Sequence, residues 1–222
     1  MMRHVEKKQL KLVYDTIADS WSNVRNRPFR FVVEYSSQIK GKKVLEVGCG
    51  AGAQLLQFAK NNFVVGLDFS RKMIYHARKS FKKKNVEGYF VVSDALFPAI
   101  RSNSFDVVLA IALLHHIPGK KNRIKVIKEL LRIAKKEVLI SVWKRRFKIA
   151  GVSLFKSFIL SLFKLREYGD VYVSWNYHGK KIKRFYHLYS FIEFINDLKE
   201  AGVKKYFVFE DCKGNIVAKI YK

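Results

Sequence analysis

Cysteine is scarce in this 222-residue chain, with Cys49 and Cys212 the only two. Two thiols cannot build a disulfide framework or a four-ligand zinc site, and they fit a reducing cytoplasm. Uncharged apolar runs of 18 or more residues are absent, which excludes a hydropathic membrane span. The opening segment MMRHVEKKQLKLVYD has no apolar stretch behind its charges, so no secretory leader is expected. The expectation is a soluble, cytoplasmic protein without stable membrane insertion. Acidic residues are also few: 18 Asp plus Glu face 44 Lys plus Arg, a formal charge of +26. Heat-adapted surfaces usually pair Lys with Glu, and here Glu does not keep pace. The imbalance points to a polyanionic partner. Nucleic acid would be gripped through counterion release and steered encounter, and anionic lipid is the second polyanion that charge alone allows.

What is present is an alternation of short β-branched runs with helical periods, the pattern of a parallel sheet covered by helices on both faces. Strands are expected at 42–47, 63–68, 86–93, 105–112 and 137–143. Helices are expected at 53–60, 70–83 with Ser70 as its cap, 122–134 and 190–201. A hairpin is expected across Lys213-Gly214-Asn215, joining 204–210 to 216–221. The predicted class is thus α/β, a Rossmann-like, seven-stranded, mostly parallel sheet with an antiparallel C-terminal hairpin. One domain fills residues 1–222: an N-terminal helical cap over 1–40, split at Asn26-Arg27-Pro28, a core over 41–143, a basic insertion over 144–184, and a C-terminal helix and hairpin over 185–222. The insertion holds eleven Lys or Arg against Glu167 and Asp170. Within it, Lys148, Lys156 and Lys164 share one broad side of an amphipathic helix whose apolar side is expected to pack on the domain, a membrane surface being the alternative.

Glycines at alternate positions in Glu46-Val47-Gly48-Cys49-Gly50-Ala51-Gly52 let the backbone turn sharply and approach a ligand. Acids then fall at three successive strand ends: Glu46 before the turn, Asp68 placed to bridge ribose hydroxyls, and Asp94 placed to accept from an exocyclic amine. Together they read as one nucleoside site. No Lys-Ser or Lys-Thr follows the glycines, so this is not a phosphate-binding loop, and the glycine order of the dinucleotide fingerprint is missing. Cys49 reads as a small turn-packing residue rather than a nucleophile.

The segment KKVLEVGCGAG, with LD at 67–68, SDA at 93–95 and FDVVLAIALLHHI at 105–117, resembles the class I S-adenosylmethionine (SAM)-dependent methyltransferases. The resemblance implies SAM as cofactor, held at its methionine end by Glu46 and the turn of Gly48, Gly50 and Gly52, at its ribose by Asp68 and at its adenine by Asp94. Further segments, YDTIADSWSNVRNRPF at 14–29, IALLHHI at 111–117, DVYVSW at 170–175 and RFYHLYS at 184–190, are similar to the tRNA wobble-uridine carboxymethyl methyltransferases. That family esterifies the carboxylate of 5-carboxymethyluridine in the anticodon. The likeness carries Arg25, His116, Arg184, Tyr186 and His187 to the substrate side, and implies the anticodon region of tRNA and a small zinc-binding activator protein as partners. Two features depart from the family: the insertion after Trp143 is unusually apolar and basic, and the C-terminal EDCKGNIVAKIYK lacks an expected aromatic pair.

An ionised carboxylate needs no general base at pH 7. The Asn-or-Asp-Pro-Pro-aromatic device of adenine amine methylation and the Pro-Cys nucleophile of pyrimidine carbon methylation are both absent, leaving an oxygen acceptor as the simplest choice. Trp175 and Tyr186 either stack a base or fill the core. Two other functions compete: a small-molecule methyltransferase, for instance of quinone biosynthesis, and a catalytically idle SAM-fold protein that binds RNA or a partner.

Overall fold

The computed structural model describes residues 4–24, 26–163 and 165–222. Seven strands form one sheet: β1 (Lys43–Val47), β2 (Phe63–Asp68), β3 (Tyr89–Val92), β4 (Phe105–Ile111), β5 (Ala134–Trp143), β8 (Lys205–Glu210) and β9 (Asn215–Tyr221). Their order is β3-β2-β1-β4-β5-β9-β8. The first five run parallel, and β9 pairs antiparallel with both β5 and β8. The strand order reverses between β1 and β4, and a crevice opens there beyond the strands' carboxyl ends.

Helices cover both faces, and the apolar alternation of the strands divides the core in two. On one face α4 (Lys120–Ile133) and α6 (Phe191–Glu200) bury Ile124, Ile127, Leu130, Phe194 and Leu198 against Leu45, Val108 and Ile140. On the other, α2 (Arg30–Ser37) and α3 (Arg71–Lys83) bury Val32, Ile74, Ala77 and Phe81 against Val44, Val64 and Leu109. Ser70 caps α3, its side chain accepting from the Met73 N–H at 3.1 Å. At α6 a capping box closes, Ser190 accepting from the Glu193 N–H while Glu193 accepts from the Ser190 N–H. The N-terminal segment is α1 (His4–Val24), separated from α2 by the expected break at Pro28.

Three local expectations change. Residues 53–60 form turns and a short 3-10 segment, Leu55–Gln57, instead of a helix. The Asn62 amide donates to the carbonyls of Phe58 and Ile39, which diverts the chain directly into β2. β3 starts at Tyr89 rather than Val86, because the Val86 N–H is taken by the Phe81 carbonyl at the end of α3. Most consequentially, the insertion is not helical throughout. It holds α5 (Phe147–Leu162) followed by an antiparallel hairpin, β6 (Asp170–Tyr177) and β7 (Lys180–His187). The turn is His178-Gly179, both with positive φ (47° and 74°), the backbone of a two-residue hairpin loop.

Helix α5 packs through Leu154 and Ser157, while Phe155, Phe158, Ile159 and Leu162 are exposed, so its apolar surface is only partly covered. Among the described residues no helix is long and apolar enough to cross a membrane.

Candidate active site

The crevice at the switch point is a cavity of about 310 Å³. Its floor is the turn after β1. Gly48, at φ 75°, leaves no room for a side chain, since a Cβ there would meet Leu113 Cδ1 at 2.7 Å. Gly50, at φ 51°, has nothing within 4 Å of where its Cβ would stand, which leaves its backbone open to the cavity. Gly52 follows at φ 84° beneath Ala77 and Phe81.

All three strand-end acids line this cavity. The Asp68 carboxylate accepts from the Gly50 and Ser70 N–H groups, each at 2.9 Å, so it braces the glycine turn while facing the crevice. Burial pushes its pKa up to about 6 against the opposing pull of those backbone N–H groups, with Asp15 adding to the rise. Asp15 accepts from the Ser70 hydroxyl at 2.6 Å, tying α1 to the cap of α3. Glu46 is 1% exposed, and burial holds its carboxyl above the usual range despite a backbone hydrogen bond involving Leu55. Asp94 accepts from the Leu96 N–H at 2.9 Å.

The opposite wall is aromatic and comes from distant parts of the chain. Ala112, in a left-handed conformation at φ 57°, turns the chain out of β4 so that the short Leu114–His116 turn meets the cavity. The Tyr14 hydroxyl of α1 lies 2.8 Å from His116 Nδ1 and 3.4 Å from Nε2. Trp21, one helical repeat further along α1, and Trp143 at the end of β5 also line the wall. His115 is buried, stacks on Tyr186, and accepts from the Trp143 N–H at 3.2 Å. Among the described lining residues the Lys and Arg side chains are Arg27, between α1 and α2, and Lys213, in the β8–β9 turn.

Of the residues assigned to the substrate side, His116 lines the cavity, and Arg25 lies outside the described residues. Arg184 and Tyr186 sit one layer behind the wall. Arg184 is 3% exposed; its Nη1 donates to the Tyr186 hydroxyl at 2.7 Å, and its guanidinium lies 5.1 Å from the Trp21 ring and 4.7 Å from that of Trp175. Tyr186 is fully buried and stacked on Trp143 at 4.8 Å, so between base stacking and core filling the geometry chooses the core. Trp175 is half-buried against Trp21, its indole N–H donating to the Ser20 hydroxyl.

His187 is a correction. It does not line the cavity; its two ring nitrogens meet Asp170 at 2.7 Å and Glu193 at 2.8 Å. Burial opposes protonation, but these two bonds outweigh it and raise its pKa above the usual histidine range. Arg145 joins Glu193 at 2.8 Å and Arg123 joins Glu167 at 2.6 Å, so a buried ionic cluster fastens the hairpin to α4 and α6. Its acids already have cations. Tyr14, Trp21, Arg27 and Lys213 are lining residues that the sequence reading did not single out; the seven-residue spacing of Tyr14 and Trp21, one face of a helix, was the available signal.

Residues 44–137 match a family model described as a methyltransferase domain. The chain carries a class I SAM-dependent methyltransferase domain. A tRNA (carboxymethyluridine(34)-5-O)-methyltransferase of Xenopus tropicalis is 32% identical over 142 residues, 63% of this chain and 22% of that protein. The Arabidopsis thaliana protein of that name is 34% identical over 63% of this chain and 33% of its own. That of Schizosaccharomyces pombe is 30% identical over 62% and 58%. The chain therefore spans between about a fifth and three fifths of the length of these curated relatives. Among solved structures, a SAM-dependent methyltransferase of Methanosarcina mazei superposes with a TM-score of 0.70 at 20% identity, covering 86% of this chain and 96% of that one. Magnesium protoporphyrin IX methyltransferase of Synechocystis, with bound S-adenosylhomocysteine, gives 0.59 at 15% identity over 100% and 88%. Both share the fold.

The cofactor of the methyltransferase domain is SAM, and the site has the features its nucleoside requires. Open space lies over Gly50, carboxylates stand at three strand ends, and the cavity is of small-ligand size.

Proposed function

We propose that this chain methylates tRNA, and that the acceptor is the carboxylate of a 5-carboxymethyluridine at the wobble position. The observation that carries this reading is the likeness to three curated carboxymethyluridine methyltransferases, which runs at 30–34% identity through the methyltransferase domain. The net charge of +26 supports a polyanionic substrate.

In this reading Glu46, Gly48, Gly50 and Gly52 seat the methionine end of SAM, Asp68 takes the ribose hydroxyls, and Asp94 takes the adenine. The sulfonium supplies an activated methyl group. The protein's task is then alignment and exclusion of water. The cavity wall meets that need with Tyr14 and His116 as hydrogen-bonding groups among the rings of Trp21 and Trp143. An ionised carboxylate requires no proton removal, so such a wall suffices. Arg25 remains the proposed direct clamp for the acceptor, its planar fork suiting a carboxylate. Arg184 and Tyr186 serve from behind the wall, and His187 serves the scaffold. The zinc-binding activator is part of the proposal too. β3 ends the sheet with a free edge and exposed Tyr89, Val91 and Val92, a surface open to strand pairing with a partner.

The test is incubation with SAM and tRNA bearing 5-carboxymethyluridine, followed by nucleoside analysis. A methyl ester that mild alkali removes is the expected product. A label that survives mild alkali and maps to a ring nitrogen or ribose hydroxyl refutes the carboxylate assignment. A second reading, methylation of a lipophilic small molecule at a membrane surface, draws on exposed Phe155, Phe158 and Leu162. It gains only if anionic vesicles bind the protein and tRNA does not.

A further inference from the structure

Arg184 is a buried cation behind a methyl-transfer site, and its partners there are a hydroxyl and aromatic rings. It donates to the Tyr186 hydroxyl, lies between the rings of Trp21 and Trp175, and its Nε has no hydrogen-bond partner among the described residues. This is an unusual setting for a charge, and it calls for a reason.

We infer that Arg184 is a positioning residue: through Tyr186 and Tyr14 it orders a one-way chain of hydrogen bonds that holds His116 with its proton on Nε2. The inference rests on reading the cavity as the site of methyl transfer. A guanidinium has donors only. The Tyr186 oxygen must therefore accept from Arg184, which frees the Tyr186 proton to be donated onward. The Tyr186 hydroxyl is hydrogen-bonded to Tyr14. Tyr14 then accepts from Tyr186 and spends its own proton on its shorter contact, His116 Nδ1 at 2.8 Å. An imidazole that accepts at Nδ1 carries its proton at Nε2 when neutral. His116 is crowded from the same side, its ring edge-to-face with Tyr14 at 5.3 Å and with Tyr186 at 4.6 Å, so the ring cannot turn over without breaking the wall.

The consequence concerns substrate class. A histidine fixed in this tautomer meets an acceptor as an N–H donor and has its lone pair already used. It favours an acceptor that arrives ionised, and it is poorly suited to take a proton from a neutral hydroxyl or amine. The relay thus selects anionic oxygen nucleophiles.

The experiment reads the His116 ring by long-range proton–nitrogen correlation spectra of the full chain with S-adenosylhomocysteine, the signal being assigned by its loss in His116→Gln. The expected pattern is a bare Nδ1 and a protonated Nε2. Tyr14→Phe, Tyr186→Phe and Arg184→Met should each mix or reverse the tautomers, whereas Arg184→Lys, another group with donors only, should keep them. In parallel, Tyr14→Phe and Tyr186→Phe should lower kcat by about 10- to 100-fold while the SAM Kd stays within about twofold. A proton on Nδ1 in the unaltered protein overturns the inference, as does a tautomer that both Phe variants leave untouched. The Phe variants keep ring volume, so the test stands if Arg184→Met does not fold. If the tautomer responds as expected but no tRNA accepts a base-labile methyl group, the relay stands and the proposed acceptor falls. If the ester forms and the tautomer does not respond, the relay falls alone.

Discussion

Acidifying the solution from pH 7 to pH 5 should weaken SAM binding about tenfold if Asp68 takes the ribose hydroxyls. Burial sets the Asp68 pKa near 6 in the free protein. The bonds it would make to ribose need an accepting carboxylate, so binding favours the ionised form and draws the pKa down in the complex. Affinity is therefore complete above about pH 7 and declines as pH falls through 6, the free-state value. At pH 7 about ten in eleven molecules carry ionised Asp68, and at pH 5 about one in eleven. The ratio is about 10, or about 1.4 kcal/mol. An ordinary aspartate near 3.9 would leave affinity almost flat over this range. Calorimetry at pH 7, 6 and 5, corrected for buffer ionisation, measures the slope and the proton uptake. Asp68→Asn should bind weakly at every pH and lose the slope. The loss follows because the amide keeps one accepting oxygen but presents N–H groups to Gly50 or Ser70, leaving a buried donor unpaired at a cost of about 1–3 kcal/mol. Affinity that is flat from pH 7 to 5, or an equal slope in Asp68→Asn, refutes the assignment of the ribose to this carboxylate.

The exposed lysines of the hairpin, Lys180, Lys181 and Lys183, should hold tRNA phosphates; replacing all three with Gln should flatten the dependence of log affinity on log salt by about 0.7–0.9 per lost contact, measured by filter binding. His187 should contribute stability at low pH. Its folded pKa is raised, so the contribution is full below about 6.5 and fades as pH rises through the folded value. His187→Ala should cost about 3–5 kcal/mol in denaturant unfolding, as for a broken buried ion pair, with SAM affinity of the folded protein unchanged. Gly50→Ala should fold with a penalty of about 1–2 kcal/mol for a side chain at φ 51°, yet lose most SAM affinity because the methyl group enters the open space above the turn.

The cofactor half of the cavity is written in the sequence because it is local. Gly48, Gly50, Glu46, Asp68 and Asp94 sit at the ends of consecutive strands, and a parallel sheet with one strand per repeat brings such ends together whatever else the chain does. Strand periodicity placed β1, β2, β4 and β5 within a residue or two of their observed bounds. Residues 53–60 misled because their apolar spacing satisfies a helix, while the competing signal is a single amide, Asn62, whose partners lie at Ile39 and Phe58. No local pattern announces that contact.

The acceptor half was misread for a different reason. Arg184, Phe185, Tyr186 and His187 looked like one cluster of ligand-capable groups because they are adjacent. In an extended strand adjacent side chains point to opposite faces. β7 accordingly sends Arg184 and Tyr186 toward α1 and the Leu114–His116 turn, and sends His187 to the ionic cluster with Asp170 and Glu193. Recognising 170–187 as a hairpin would have divided them correctly, but the His178-Gly179 turn is a weaker signal than Asn-Gly. Even then the face meeting the cavity is chosen by α1, more than 150 residues away in sequence, where Ser20 bonds Trp175 and Tyr14 bonds His116. The acceptor wall is thus largely assembled from α1, the end of β5 and the hairpin behind them. The family match at 44–137 takes in His116 and leaves out Tyr14, Trp21, Trp143, Arg184 and Tyr186. Substitutions in those outer segments can change which nucleophile is aligned while the glycine turn and Asp68 stay as they are. For that reason a shared cofactor half by itself says little about the acceptor, and the arrangement around His116 is where the substrate has to be read.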